Sequence, residues 1–329
     1  MSEKEGQVPQ VTKDGWFCLL TKEDQGETYA AIVRKYAPES ISWNRAKQQI
    51  RSGKVFLDQS RITDPAKRHE KGKKLEVRMS TPRVSGFGEL TPEQVLYVDR
   101  HIVVVDKPAE LVTVSYNEEE PDSLEHRTRG TLQMLRKGNA NAPLFLVHRL
   151  DKNTSGVLVF ARSKKAFNIL RKQFDDHTIV RSYRAIVAGI PRSGRLESWL
   201  VEDRGDGYRG AVVQRQARKM GAKKAIMYTK VLERFKDVSY VECLLETGRT
   251  HQIRIQLSEQ GNPVVGDFVY LKACRLRDQE FPNLPEFSRH ALHAHKIQFV
   301  HPITQKELTF TSRLHDDMYQ LLKELRKSN

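Results

Sequence analysis

The chain has 329 residues, 38% of them hydrophobic, and a formal net charge of +15. That length supports a sizeable core in two domains, or in one large domain with an appendage. The positive excess points to a polyanionic partner, nucleic acid being the commonest, or else to a solvated basic surface. Three widely spaced cysteines (Cys18, Cys243 and Cys274) form no CxxC pair, which argues against a disulfide framework or a zinc cluster and fits a reducing compartment. No run approaches the roughly 20 apolar residues of a membrane-spanning helix. Glu3, Lys4 and Glu5 open the chain without an apolar core, unlike a secretory signal or an Arg-rich transit peptide. Cytoplasm is the expected location, with the nucleus left open.

Residues 1–26 read as a polar tail with one apolar patch, Trp16 to Leu20. Residues 27–80 form a candidate small domain in which 13 basic side chains face six acidic ones, a net charge of +7. Tyr29 to Tyr36 has the spacing of a short amphipathic helix. Ser42 is placed to cap a second helix through Arg45, Lys47 and Ile50, with Gly53 as its stop. Lys54 to Asp58 reads as a strand, Asp64-Pro65 as a turn and Lys73 to Val77 as a last strand. This order resembles the S4 RNA-binding module, in which the second helix and the following loop contact the RNA backbone. The resemblance implies that role for Arg45, Lys47, Arg51 and Lys54. The chain departs from the S4 pattern at Trp43-Asn44-Arg45, where Ser-Arg is usual. A basic helical appendage that docks on the larger domain is the plain alternative. Residues 81–95, with Pro82, Gly86, Gly88 and Pro92, read as a linker.

Residues 96–329 form the larger domain. Ile102 to Val105 is a buried strand that runs into Asp106-Lys107-Pro108. Asn117 to Asp122 is a short acidic loop. Leu144 to Val147 and Val157 to Phe160 read as buried strands on either side of His148-Arg149-Leu150-Asp151-Lys152-Asn153-Thr154-Ser155-Gly156. A charged step between buried strands is costly unless its charges pair or do chemistry; an internal Arg149–Asp151 pair is the bland option. Ser163 is a candidate cap for a helix whose Ala166, Phe167, Leu170 and Phe174 face the core. Val180 to Val187 is an alternating strand containing Arg181 and Tyr183. The basic run over 204–224 suits either a phosphate groove or a solvated loop. Tyr240 to Leu245 is a strand, broken at Gly248. Thr250 is placed to cap a helix that Gly261 ends, with Arg254 one turn inside it. Residues 272–290 read as an insertion loop, and 313–327 as a terminal helix. His293 and His295 share one strand face but lack the further ligands that a metal site needs.

Two long motifs, His148 to Gly156 and Thr247 to Asp267, resemble the HRLDxxTSG and TGRTHQIR…GxPxxGD signatures of the RluA-type RNA pseudouridine synthases. The resemblance spans roughly residues 96–312. It implies an α+β protein: a mixed, mainly antiparallel central sheet flanked by helices and loops, with the small α/β S4-like domain added. It implies catalytic roles for Asp151, Arg254 and Tyr183. Asp151 would be the ionised carboxylate, Arg254 its partner, and Tyr183 the ring under the target uracil. Arg149 would fill the gap left by an extruded nucleotide, and Ile253 would be an apolar wall. Arg249 is placed on the RNA-facing side and Lys107 is either structural or RNA-facing, although Pro108-Ala109-Glu110 lacks the glycine of the usual Lys-Pro-x-Gly, and Arg181 stands where Lys is frequent. The implied reaction converts uridine to pseudouridine in structured ribosomal or transfer RNA, with no metal and no cofactor. RNA is the only partner expected, with no membrane, no obligate protein partner, and a monomer. Two other classes compete. One is an inactive RNA-binding protein on this scaffold, disfavoured because all three motif positions are filled. The other is a zinc base deaminase, disfavoured because the H-x-E and P-C-x-x-C signatures are missing.

Overall fold

The structure is a computed structural model that describes residues 9–51, 53–81, 90–115, 122–135, 142–203, 209–275 and 280–328. Two compact units divide the chain: Met1–Glu89 with Ser115–Asp122, and Leu90–Val114 with Ser123–Asn329.

The first unit opens with strands β1 (Gln10–Thr12) and β2 (Gly15–Leu19), followed by helices α1 (Tyr29–Tyr36) and α2 (Trp43–Arg51). Strands β3 (Val55–Leu57), β4 (Ser60–Ile62) and β5 (Lys74–Arg78) complete a five-stranded sheet of order β1-β2-β5-β3-β4. The helices start where capping chemistry allows. Thr28 Oγ1 accepts from Ala31 N at 3.3 Å, and Ser42 Oγ accepts from Arg45 N at 3.2 Å. Gly53, at φ +68°, ends the second helix. The expected polar tail is corrected here. Trp16 and Cys18 alternate inward along β2, and β2 pairs with β5 across all five of its residues. Two large buried side chains of this kind contribute a few kcal/mol, so the small domain begins well before residue 27. Arg45 and Lys47 are exposed on α2, while Lys54 is half-buried after it; the side chain of Arg51 lies outside the described residues.

The second unit is built on an 11-stranded sheet. Its strands are β6 (Val95–Val98), β7 (Ile102–Lys107), β8 (Phe145–Leu146), β9 (Ser155–Ala161), β10 (Val180–Ala188), β11 (Gly194–Val201), β12 (Gly210–Val212), β13 (Lys223–Arg234), β14 (Val238–Leu245), β15 (Leu292–Val300) and β16 (Glu307–Thr311). Its helices are α3 (Leu124–Met134), α4 (Lys164–Asp175), α5 (Gln214–Ala217), α6 (Gln252–Glu259), α7 (Phe268–Arg275) and α8 (Asp316–Lys327). The order is β12-β11-β13-β14-β10-β15-β9-β7-β6, with β16 beside β15 and β8 beside β9. Only β9 and β15 run parallel, so the sheet is mixed and mainly antiparallel. β9 is buried at every residue, as its continuous apolar run suggests. β10 is also buried on both faces, not alternately as expected, because residues of both its faces join the core. The strand before Asp151 shrinks to two residues, and α7 occupies the start of the expected loop 272–290, of which 276–279 lie outside the described residues. Of the expected linker, 82–89 lie outside them too, as do 116–121 of the acidic loop and 204–208 of the basic run.

Glu110 stands where the Lys-Pro-x-Gly pattern has its glycine, and it keeps that glycine's backbone: φ is +62°. A Cβ in this region costs roughly 1–2 kcal/mol. Glu110→Gly is therefore expected to raise the unfolding free energy by about 1 kcal/mol, after allowing for the freer unfolded chain. Urea unfolding checks this; a loss of stability would mean that the Glu110 side chain holds the turn.

Candidate active site

Asp151 lies in the irregular segment between β8 and β9. That segment is held on several sides. Thr113 Oγ1 donates to Leu150 O at 2.8 Å and accepts from Leu150 N at 3.2 Å. Thr154 N closes a turn onto Asp151 O at 3.0 Å. Thr154 Oγ1 meets His290 Nε2 at 2.8 Å, and Arg289 Nη1 donates to Asn153 O at 2.9 Å. Gly156, at φ +112°, lies against the carbonyl of Ala294, where a Cβ would overlap the β15 backbone. This glycine is what lets β9 approach β15 directly after the loop.

Lys107 belongs to this scaffolding and not to the RNA-facing surface. Its side chain is 0% exposed, and Nζ donates to Pro108 O at 2.8 Å and Lys152 O at 2.9 Å. Burial pushes its pKa down to about 7. The expected RNA contact is thus corrected: the ammonium ties the end of β7 to the residue after Asp151.

The second half of the site comes from the segment joining β14 to α6. Gln252 stitches it together: Oε1 accepts from Thr247 Oγ1 at 2.8 Å and from Arg249 N at 3.0 Å, while Nε2 donates to Ile226 O at 3.0 Å. The helix starts at Gln252 with His251 as its N-cap in the left-handed region (φ +57°), so Thr250 does not cap it as expected. Gly261 (φ +79°) does sit just past its end. Arg254, at the third position of α6, reaches two carboxylates. Nη1 donates to Asp151 Oδ2 at 3.0 Å, while Nε and Nη2 grip Asp267 Oδ2 and Oδ1 at 2.6 and 3.0 Å. The two-pronged hold therefore falls on Asp267, and Asp151 receives one bond. His251 Nε2 lies 3.7 Å from Asp151 Oδ2, and its Nδ1 shares a hydrogen bond of 3.0 Å with the Tyr270 hydroxyl.

Burial alone would raise the Asp151 pKa. The charges of His251 and Arg254, with the Arg254 hydrogen bond, outweigh it and hold the carboxyl below its ordinary range. Burial lowers His251 and raises Tyr183. Tyr183 is 8% exposed and sits on β10 opposite Cys243 of β14.

Asp151, Arg254, Tyr183, Arg149, Ile253 and Arg249 all line one cavity of about 410 Å³, within the range of pockets that hold small ligands. The basic candidates Arg45, Lys47 and Lys54 lie in the first unit. Asp267, Gln252, Tyr270 and His290 received no role from the sequence. Asp267 was visible as the Gly-Asp pair closing the second motif, but nothing in one sequence says that it meets Arg254. His293 bonds Ser155 Oγ at 2.9 Å and His295 bonds Ser312 O at 2.8 Å. Among the described residues no group of three or more His, Cys, Asp or Glu side chains is placed to hold a metal ion.

A model of the RNA pseudouridylate synthase family matches residues 101–259. The chain is 34% identical over 296 residues to ribosomal large subunit pseudouridine synthase D of Zymomonas mobilis, covering 88% of this chain and 91% of that one. The protein of the same name from Neisseria meningitidis is 33% identical over 310 residues, covering 90% and 78%. Among solved structures, human RNA pseudouridylate synthase domain containing 4 superposes with a TM-score of 0.58 at 26% identity, covering 71% of this chain and 93% of that one. Fold, cavity and comparisons define an RNA-modifying isomerase. The chain belongs to the RNA pseudouridylate synthase family, in its RluA-type branch.

The site's buried histidines set its acid limit. Burial holds both His148 and His290 at about 3. An unfolded chain protonates them near 6.5. Their folded pKa values are depressed, so the stability they contribute is complete above 6.5 and is lost as pH falls toward 3. Each should add about 1.4 kcal/mol per pH unit in that window. Calorimetric unfolding at pH 5 and 7 checks this; a flat stability between those values would mean that both rings are already charged in the native state.

Proposed function

We propose that this synthase isomerises uridines of ribosomal RNA, with Asp151 as the reacting carboxylate. In that reaction the bond from uracil N1 to C1′ breaks and a bond from C5 to C1′ forms. The C5 proton is released, N1 gains one, and no electrons are exchanged. The observation that carries the reading is the Arg254–Asp151 contact of 3.0 Å inside the cavity. It supports an anion that stays ionised where a nucleotide can reach it. Asp151 either attacks C1′ or removes a sugar proton. Arg254 fixes and ionises it, Tyr183 offers a ring face to the base, and Ile253 limits water. A paired uridine must first leave its stack at a cost of a few kcal/mol, and Arg149 is suited to take its place.

Ribosomal RNA is favoured over transfer RNA because both bacterial relatives above carry ribosomal large subunit in their names. The first unit is read as an S4-like RNA-binding module whose Arg45, Lys47, Arg51 and Lys54 meet phosphates. Arg34 stacks 5.0 Å from the exposed Trp43 ring at the start of α2, so the residues that depart from the S4 pattern still form a basic surface. The enzyme is read as a monomer, and three buried free cysteines suit a cytoplasmic location.

Tritium release from [5-³H]uridine-labelled ribosomal RNA, prepared from cells lacking the enzyme, tests the chemistry. Wild-type protein should release it, and Asp151→Asn should be slower by on the order of 10³-fold or more. Arg254→Lys should fall by on the order of 10²-fold, because an ammonium cannot hold Asp267 at two points and Asp151 at a third. Full activity of Asp151→Asn would remove the reading. Separately, Arg45→Gln with Lys47→Gln should weaken RNA binding and reduce the slope of log Kd against log salt by about 0.7–0.9 per lost phosphate contact. An unchanged slope would remove the first unit's assigned role.

A further inference from the structure

Arg181 is a buried cation without a countercharge. It opens β10 two residues before Tyr183, and its side chain is 7% exposed. Among the described residues no carboxylate pairs with it. Its Nη2 donates to the Glu246 carbonyl at 3.2 Å, its Nε is buried with no acceptor, and its guanidinium carbon lies 5.4 Å from the Phe174 ring. Burial disfavours its charge, Tyr183 partly offsets that, and Arg249, of the same sign, adds repulsion. Removing a guanidinium from water costs several kcal/mol unless an anion compensates it. Among the described residues nothing does so.

The surroundings make room for such an anion. Arg181 and Arg249 line the same cavity as Asp151, with Gly248 between them in the lining. Gly248 has an ordinary negative φ, so its backbone does not need glycine. What needs glycine is space: a Cβ there would overlap Arg181 Nη1. The missing side chain leaves the guanidinium lying against the segment that also carries Arg249. Asp175, at the cavity rim, is engaged with Arg171 at 3.7 Å.

We infer that Arg181, with Arg249, is a phosphate-binding subsite that takes the phosphodiester of the nucleotide whose base enters the cavity. The inference rests on the RNA-modifying role proposed above and adds a ligand group to that same site. A nucleotide bound there brings its own negative charge beside Arg181, and the cation buried at the start of β10 is neutralised only then. Binding energy from the phosphate would thus help to hold the extruded nucleotide while Asp151 acts on its sugar. The desolvated guanidinium lowers the stability of the free protein, which is a frequent property of binding sites.

The probe is pentauridylate, which is single-stranded and so has no duplex to open. Arg181→Met keeps the bulk and removes the charge. It should melt at the wild-type temperature or above it, weaken pentauridylate binding by on the order of tenfold, and lower the salt slope by about 0.7. Arg181→Lys should restore most of that slope. Gly248→Ala, which displaces the guanidinium without straining the backbone, should weaken binding while leaving the melting temperature unchanged. A salt slope equal to wild type in Arg181→Met, or a melting temperature several degrees lower, overturns the subsite. These readings use affinity and melting temperature, and none of them uses catalysis. A protein that releases no tritium from RNA but shows them would lose the proposed chemistry and keep the phosphate site; the opposite pattern would do the reverse.

Discussion

One guanidinium organises this protein's chemistry. Arg254 is buried, and it is kept charged by Asp267 from one side and Asp151 from the other. A carboxylate placed in a half-enclosed cavity tends to take up a proton, and a protonated acid is useless for attacking or deprotonating a sugar. The Arg254 bond reverses that tendency at Asp151. The bidentate hold by Asp267 then leaves the third donor, Nη1, aimed at a fixed point. Charge and direction are set by the same side chain, and the sheet exists to bring its neighbours to within hydrogen-bond reach.

Around that contact the fold works by fixing loops rather than by contributing strand residues. Asp151 follows a strand of two residues and precedes one buried throughout. Its segment is held by Lys107 from β7, by Thr113 and by Arg289, none of which lines the cavity. Tyr183 is the exception, rigid within β10. The arrangement matches the general finding that reactive groups sit on loops positioned by a stiff frame.

Much of this was legible in the chain. The helix at Tyr29–Tyr36 followed from apolar spacing, that at Lys164–Asp175 from apolar spacing and a Ser cap, and the terminal helix expected over 313–327 is found at Asp316–Lys327. A charged step between buried strands drew attention to Asp151, and the family resemblance of the two long motifs named Arg254 as its partner. Other features were hidden for physical reasons. Trp16 and Cys18 lie in too short a run to announce a strand, since their pairing partner β5 is far along the chain. Lys107 looked like a surface cation because sequence cannot show two backbone carbonyls waiting for its ammonium. Asp267 received no partner in the motif that it closes, and His251 looked like a helix residue after a Thr cap. Each depends on a contact made only in three dimensions.

The Asp151–Arg254 bond joins residues 103 positions apart, and Asp267 lies a further 13 beyond Arg254. A chain emerging from the ribosome thus carries its acid long before it carries the base that disciplines it. Until α6 and the turn after it have been synthesised and seated, that acid is an ordinary surface group in an unfinished sheet. Competence therefore waits for that later segment: a chain that stops short of it lacks the cation that keeps Asp151 ionised.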